Sequence, residues 1–241
     1  MADGVNVNRL EPAEIQQLHT VLEHLTPLID ARKADGTVNR LTWDELYGPL
    51  AEEEQAFLDA FRAVKAEALG STSHYFGELE VQPDLVPVEP QQIVKDGAPE
   101  PLPLQYLPRP VHDAYLAMTE AMVKDLGKRL LVESGYRSPA YQLYLFMFYL
   151  PKHGSSVRET NRFVALPGYS EHGNPQQQAI DFINEAGING EDHPEEFEAL
   201  PEYAWLTANA SRFGFHLSYP RGNPHHTSFE PWHWHYEART Q

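Results

Sequence analysis

Eight of the chain's 20 prolines fall between positions 81 and 110, with Pro99, Pro101 and Pro103 at alternate positions. Proline has no backbone N–H and a fixed φ, so this stretch can be neither a helix interior nor a central strand. It reads as an extended connector and divides the 241 residues into a segment 1–80, the connector 81–110 and a segment 111–241. The total length suffices for one sizeable core with a small appendage, and 4 Trp, 12 Tyr and 11 Phe supply large units to bury.

The segment 1–80 reads as a helical extension. Ile15, Leu18, Leu22, Leu25 and Ile29 recur at steps of three and four, which is the period of an amphipathic helix. Thr42 followed by Glu45 forms a capping-box signal for a second helix. Phe57, Phe61, Val64 and Ala68 mark one face of a third, which Gly70 and Ser71 are expected to stop. No nucleophile, metal cluster or glycine loop occurs here, so packing or a partner surface is the expectation.

Beyond the connector, Val111, Tyr115, Met118 and Met122 trace a helix that Gly127 can end. Leu130-Leu131-Val132 reads as a short buried strand. Ser138-Pro139 suits the N-cap and first turn of a helix carrying Gln142, Leu143 and Phe146. Ala179 to Ile183 is a second strand. Residues 184–202 hold seven acids and no Lys or Arg and are expected to be a solvated loop. Tyr203 to Phe213 is a helix closed by Gly214, and Phe229 to Tyr236 is aromatic and extended. Short strands among flanking helices predict an α+β fold.

Composition removes several classes of function. The formal net charge is −17, from 18 Lys+Arg against 35 Asp+Glu, and a chain so acidic repels phosphate backbones; nucleic acid is not an expected partner. With no cysteine there is no disulfide framework, thiolate metal site or cysteine nucleophile, so a metal must rely on the 12 His and the carboxylates. The longest apolar run, Leu143 to Leu150, is far below the roughly 20 residues of a membrane-spanning helix. The first thirty residues lack the basic and apolar regions of a signal peptide. The expected location is therefore cytoplasmic as written, or the cell envelope by a trimmed signal or another export route.

Chemistry concentrates in two pieces of the chain. One is Gly168-Tyr169-Ser170-Glu171-His172 followed by Asp181, and the other is Glu230-Pro231-Trp232-His233. Two imidazoles and one carboxylate make a three-ligand zinc site with an open fourth position. Glu230, three residues before His233, suits a base that deprotonates water, and the proline after it biases the pair toward a strand or sharp turn. On spacing alone, Trp232 and Trp234 equally suit a core edge holding a satisfied His233.

The order of the motifs adds to this. Ser134-Gly135-Tyr136-Arg137-Ser138 with Gln142 comes first, then Pro167-Gly168-x-Ser170-x-His172 with Ala179-x-Asp181. Phe213-Gly214-Phe215 with Tyr219-Pro220 follows, and Glu230-Pro231-Trp232-His233 closes the series. With Leu102-Pro103 and Tyr106-x-Pro108 upstream, residues 92 to 236 resemble the VanY-type D-alanyl-D-alanine carboxypeptidases, zinc peptidases of the LAS group.

The resemblance implies a small antiparallel sheet flanked by helices, with the N-terminal helices outside it. It implies one zinc ion per chain held by His172, Asp181 and His233, with Glu230 as general base. It implies that Arg137 steadies the substrate or its developing oxyanion, and that Gln142 and Ser170 bind substrate. The implied partner is a peptidoglycan stem peptide or its precursor, and the implied reaction is removal of the terminal D-Ala. A D-Ala-D-Ala dipeptidase, an L-Ala-D-Glu endopeptidase and a non-catalytic peptide-binding module remain as alternatives.

Two positions depart from the family pattern. Eight residues, in place of six, separate His172 from Asp181, and Pro175 stands where the family has glycine; the extra residues are expected to bulge outward between Gly173 and Gln177. His235 stands where the family has arginine and is expected to be partly exposed. His225 and His226, in a Gly-Asn-Pro loop, read as surface residues.

Overall fold

The computed structural model describes residues 5–79, 84–223 and 228–238. The chain divides into two interleaved units. The first takes the described residues before position 80 together with Arg137–Ser170, and the second takes the described parts of Gln82–Tyr136, Glu171–Asn223 and Phe229–Gln241. His225 and His226 lie outside the described residues.

The first unit is helical. Pro12–Ala34 buries Leu18, Val21, Leu25 and Ile29 along one stripe. The capping box forms ahead of helix Trp43–Tyr47: Thr42 Oγ1 accepts from the Glu45 N–H at 3.3 Å, and Glu45 Oε2 accepts from the Thr42 N–H at 2.9 Å. Helix Glu52–Arg62 stops earlier than Val64 and Ala68 suggest, and a separate 3₁₀ turn, Ala66–Leu69, leads to Gly70 at φ +78°. A 3₁₀ turn repeats every three residues, so Ala66 and Leu69 take the buried positions and Ala68 faces outward. Helix Pro139–Tyr149 begins at Ser138, whose Oγ accepts from the Tyr141 N–H at 3.2 Å and donates to the Leu41 carbonyl at 2.6 Å. Leu143, Phe146 and Met147 of this helix share one core with Leu18, Leu25, Leu58 and Phe61.

The second unit contains the strands. In chain order these are β1 Leu85–Pro87, β2 Gln92–Lys95, β3 Ala98–Pro101, β4 Tyr106–Pro108, β5 Leu130–Ser134, β6 Ala179–Asn184, β7 Phe215–Leu217 and β8 His233–Tyr236. Part of the proline-rich stretch is ordered as antiparallel pairs, β1 with β4 and β2 with β3. The β2–β3 hairpin turns at Asp96 (φ +52°) and Gly97 (φ +79°), the left-handed pair that a two-residue turn demands. Pro99 and Pro101 sit on β3, which among the described residues pairs with β2 alone, so their missing donors break no central ladder.

The main sheet is antiparallel, in the order β5-β6-β8-β7. Side chains alternate across it. Val132, Ile180, Phe182, Trp234 and Phe215 enter a core shared with helix Arg109–Leu126 and helix Pro201–Asn209, while Leu131 and Ile183 pack with Ile93. Gly127 and Gly214 close their segments with φ of +65° and +86°. The acidic stretch 184–202 is more than a solvated loop. Helix Pro194–Glu198 drives Phe197 into the core, and Glu202 is buried with the Lys128 ammonium 3.6 Å away. These elements form the α+β arrangement that the strand and helix patterns predict.

Candidate metal centre

The site grows from one cross-strand pair. Asp181 on β6 lies opposite His233 at the start of β8, so the two side chains leave the same face of the sheet. Their immediate neighbours Ile180, Phe182 and Trp234 point into the core on the other side, which locks the register. The third member, His172, comes from the 3₁₀ turn Glu171–Gly173 and is 1 % exposed. One ligand atom from each of His172, Asp181 and His233 lies within 4.8 Å of the others.

Hydrogen bonds orient these groups. His172 Nδ1 lies 2.7 Å from the Gly135 carbonyl, which can only accept, so Nδ1 carries the proton. The lone pair is then on Nε2, which faces Asp181 Oδ2 at 3.0 Å. His233 presents Nδ1 to Asp181 Oδ1 at 2.8 Å and Nε2 to Glu171 Oε2 at 2.9 Å. Burial works against the His233 imidazolium, but the Asp181 and Glu171 carboxylates outweigh it and push its pKa up to about 10. Burial likewise opposes the charge on Asp181, and the two histidines hold its carboxyl well below the usual range. Two imidazoles with lone pairs available after deprotonation and a carboxylate suit a borderline divalent ion such as zinc.

Glu230 precedes β8 by a tight turn, in which the His233 N–H donates to the Glu230 carbonyl at 3.2 Å. Its carboxylate oxygen Oε2 stands 3.9 Å from His233 Nδ1. The Glu-Pro-Trp-His run therefore brings the Glu230 carboxylate and the His233 ring to one place, from the sharp turn that the proline predicts. The loop between His172 and Asp181 also behaves as expected. Pro175 and Gln176 are exposed between buried Asn174 and Gln178, and Asn174 Oδ1 accepts from the Gln176 N–H at 3.0 Å to shape the bulge.

Arg137, Gln142 and Ser170 belong to the helical unit. Gln142 is buried on helix Pro139–Tyr149, where its Nε2 donates to the Ala165 carbonyl at 2.7 Å. Its Oε1 is buried and meets no hydrogen-bond donor among the described residues. Arg137 and Ser170 are half-buried. His235 is half-buried too, its Nδ1 2.8 Å from Ser218 Oγ, and burial lowers its proton affinity. The sequence motifs give Glu171 no role of its own, although it lies between Ser170 and His172. Burial opposes the charge on its carboxyl, but the hydrogen bond from His233 holds it below the ordinary carboxylate value.

The VanY family model, D-alanyl-D-alanine carboxypeptidase, matches residues 104–239, more than half of the chain. YodJ of Bacillus subtilis (strain 168) is 31 % identical over 142 residues, covering 58 % of this chain and 50 % of YodJ. The chain thus spans about half the length of that relative. The bifunctional D-Ala-D-Ala dipeptidase and D-Ala-D-Ala carboxypeptidase VanXYC of Enterococcus gallinarum is 29 % identical over 150 residues, covering 57 % of this chain and 75 % of VanXYC. Among solved structures, the LdcB LD-carboxypeptidase superposes with a TM-score of 0.51 at 27 % identity, covering 66 % of this chain and 71 % of LdcB. With the family match spanning the sheet, the His172–Asp181–His233 group and the Glu230 turn, the chain belongs to the VanY family of D-alanyl-D-alanine carboxypeptidases.

Proposed function

We propose that this chain is a zinc-dependent D,D-carboxypeptidase that removes the terminal D-Ala from a peptidoglycan stem peptide. The observation that carries the proposal is the convergence of His172, Asp181 and His233 with the Glu230 carboxylate delivered beside them by a tight turn. The relative VanXYC, named for both dipeptidase and carboxypeptidase action on D-Ala-D-Ala, supports the substrate class.

His172 would hold zinc through Nε2, His233 through Nδ1, and Asp181 through its carboxylate. Bound zinc supplies a Lewis acid that lowers the pKa of a water from about 15.7 to about 7 and opposes charge on a carbonyl oxygen. Glu230 takes the proton released from the attacking water and returns it to the leaving amine of D-Ala. Arg137 steadies the substrate or the developing oxyanion with a guanidinium that stays charged at any working pH, and Gln142 and Ser170 bind the peptide. The aligned face of the sheet keeps the two strand-borne groups at fixed separation, which spares the reorganisation a loop-borne site would require.

Mass spectrometry of a stem pentapeptide incubated with zinc-loaded protein, beside a chelated control, tests this reading. Loss of one alanine that the chelator abolishes is the expected result. Release of D-Ala-D-Ala, or a cut between L-Ala and D-Glu, would move the activity to dipeptidase or endopeptidase, and no product with zinc bound would point to a binding module. Glu230→Ala is expected to keep zinc and lose about a thousandfold in turnover. Activity near that of the wild type in this variant would remove Glu230 as the base.

A further inference from the structure

His233 is gripped at both ring nitrogens, and the two grips differ in kind. At Nδ1 stands Asp181, itself assigned to the metal, so that edge of the ring faces the metal position. At Nε2, on the far edge, stands Glu171 Oε2 at 2.9 Å. Glu171 is 12 % exposed, sits on the same 3₁₀ turn as His172, and has its other oxygen 4.0 Å from His235 Nδ1. His172 is keyed in the opposite sense, with its Nδ1 on the Gly135 carbonyl and its Nε2 toward Asp181.

We infer that Glu171 is the positioning residue of this centre: by accepting the Nε2–H of His233, it selects the tautomer that leaves the Nδ1 lone pair for the metal. A neutral imidazole carries one N–H and exchanges it between two nitrogens, and an acceptor fixed at one nitrogen settles the choice. A carboxylate in that position also fixes the ring plane and raises the basicity of the opposite nitrogen. The turn that supplies Glu171 supplies His172 as well, so one short element provides one ligand and the orientation of another. The inference rests on the zinc reading above and assigns a residue that the sequence motifs left without a role.

Zinc affinity of the full chain, measured by competition with a chromophoric chelator for the wild type, Glu171→Gln and Glu171→Leu, tests the assignment. Near-ultraviolet circular dichroism of each metal-free protein monitors the fold. The expected result is a loss of about 10- to 100-fold in zinc affinity for the leucine variant, with glutamine, which keeps an acceptor oxygen, recovering most of it. Long-range ¹H–¹⁵N spectra of the zinc-loaded wild type should show His233 protonated at Nε2, a readout that survives even if the leucine variant fails to fold. Undiminished affinity in a folded leucine variant, or a His233 protonated at Nδ1, would overturn the inference while leaving the zinc site standing. A wild type that binds no zinc would overturn the zinc reading and this inference together.

Discussion

At Gly135 the backbone itself serves the site. Its carbonyl holds His172 Nδ1, and a Cβ added there would lie 2.5 Å from the Tyr106 carbonyl oxygen and 3.1 Å from Leu107 Cδ2. The Tyr136 N–H already donates to that Tyr106 oxygen at 2.7 Å, so the backbone has no room to give. Gly135→Ala is expected to cost about 1–3 kcal/mol in denaturant unfolding and to weaken zinc binding, because the strand end carrying the carbonyl must move. Glu133 makes a different prediction. It lies where the β5–β6 register shifts between Val132 and Ser134, and burial, then the nearby Asp181 charge, push its carboxyl up to about 7. The folded chain therefore binds this proton more tightly than the unfolded chain does, so stability falls as pH rises from about 4.5 to about 7. Glu133→Gln should remove that fall in the metal-free protein, gaining about 1–2 kcal/mol at pH 8 and nothing at pH 4, as read from urea midpoints across the range.

Among the elements, helix Pro139–Tyr149 is tied to the chain before it by a single side chain at its start. Ser138 is fully buried, caps the helix and donates to the Leu41 carbonyl. Ser138→Ala removes the acceptor of the partly buried Tyr141 N–H and the donor to the buried Leu41 carbonyl, so a loss of about 2–3 kcal/mol is expected in thermal or urea unfolding. Such caps were legible in the sequence, because Ser-Pro and Thr-x-x-Glu act through residues three apart. The β2–β3 hairpin carries a legible signal as well, in Asp96-Gly97, but the prolines around it point to an extended connector. Helix Glu52–Arg62 is shorter than its sequence pattern suggests, because the apolar spacing through Val64 and Ala68 continues the helical period while the backbone tightens into a 3₁₀ turn. Phe197 was hidden among seven acids, where one aromatic anchor outweighs the average polarity of the segment.

For the whole molecule, the helical unit has a core drawn from both of its chain segments. Leu143, Phe146, Met147 and Leu150 are buried in the same cluster as Leu18, Leu25, Ile29, Leu58 and Phe61. Deleting the residues before position 80 would uncover several such side chains, each worth about 1.5–3 kcal/mol of burial. The truncated chain is expected to be aggregation-prone, with a weakened near-ultraviolet spectrum; a soluble, cooperatively melting product would show that residues 137–170 pack without the N-terminal helices. No helix among the described residues is long and apolar enough to cross a membrane.

The residues His172, Asp181, His233 and Glu230 as one candidate group, the helix caps and the short buried strands were all legible in the sequence alone. Each depends on residue type and on spacings of a few positions, which the chain's own covalent geometry converts into a face or a turn. The tertiary structure decided the rest. Which nitrogen each histidine presents, the place of Glu171 behind His233, and the partners of helix Pro139–Tyr149 depend on segments about forty to one hundred and thirty residues apart. Those meetings are set by strand register and by shared burial, and the pairing of Asp181 with His233 exists only once the ladder between β6 and β8 has formed.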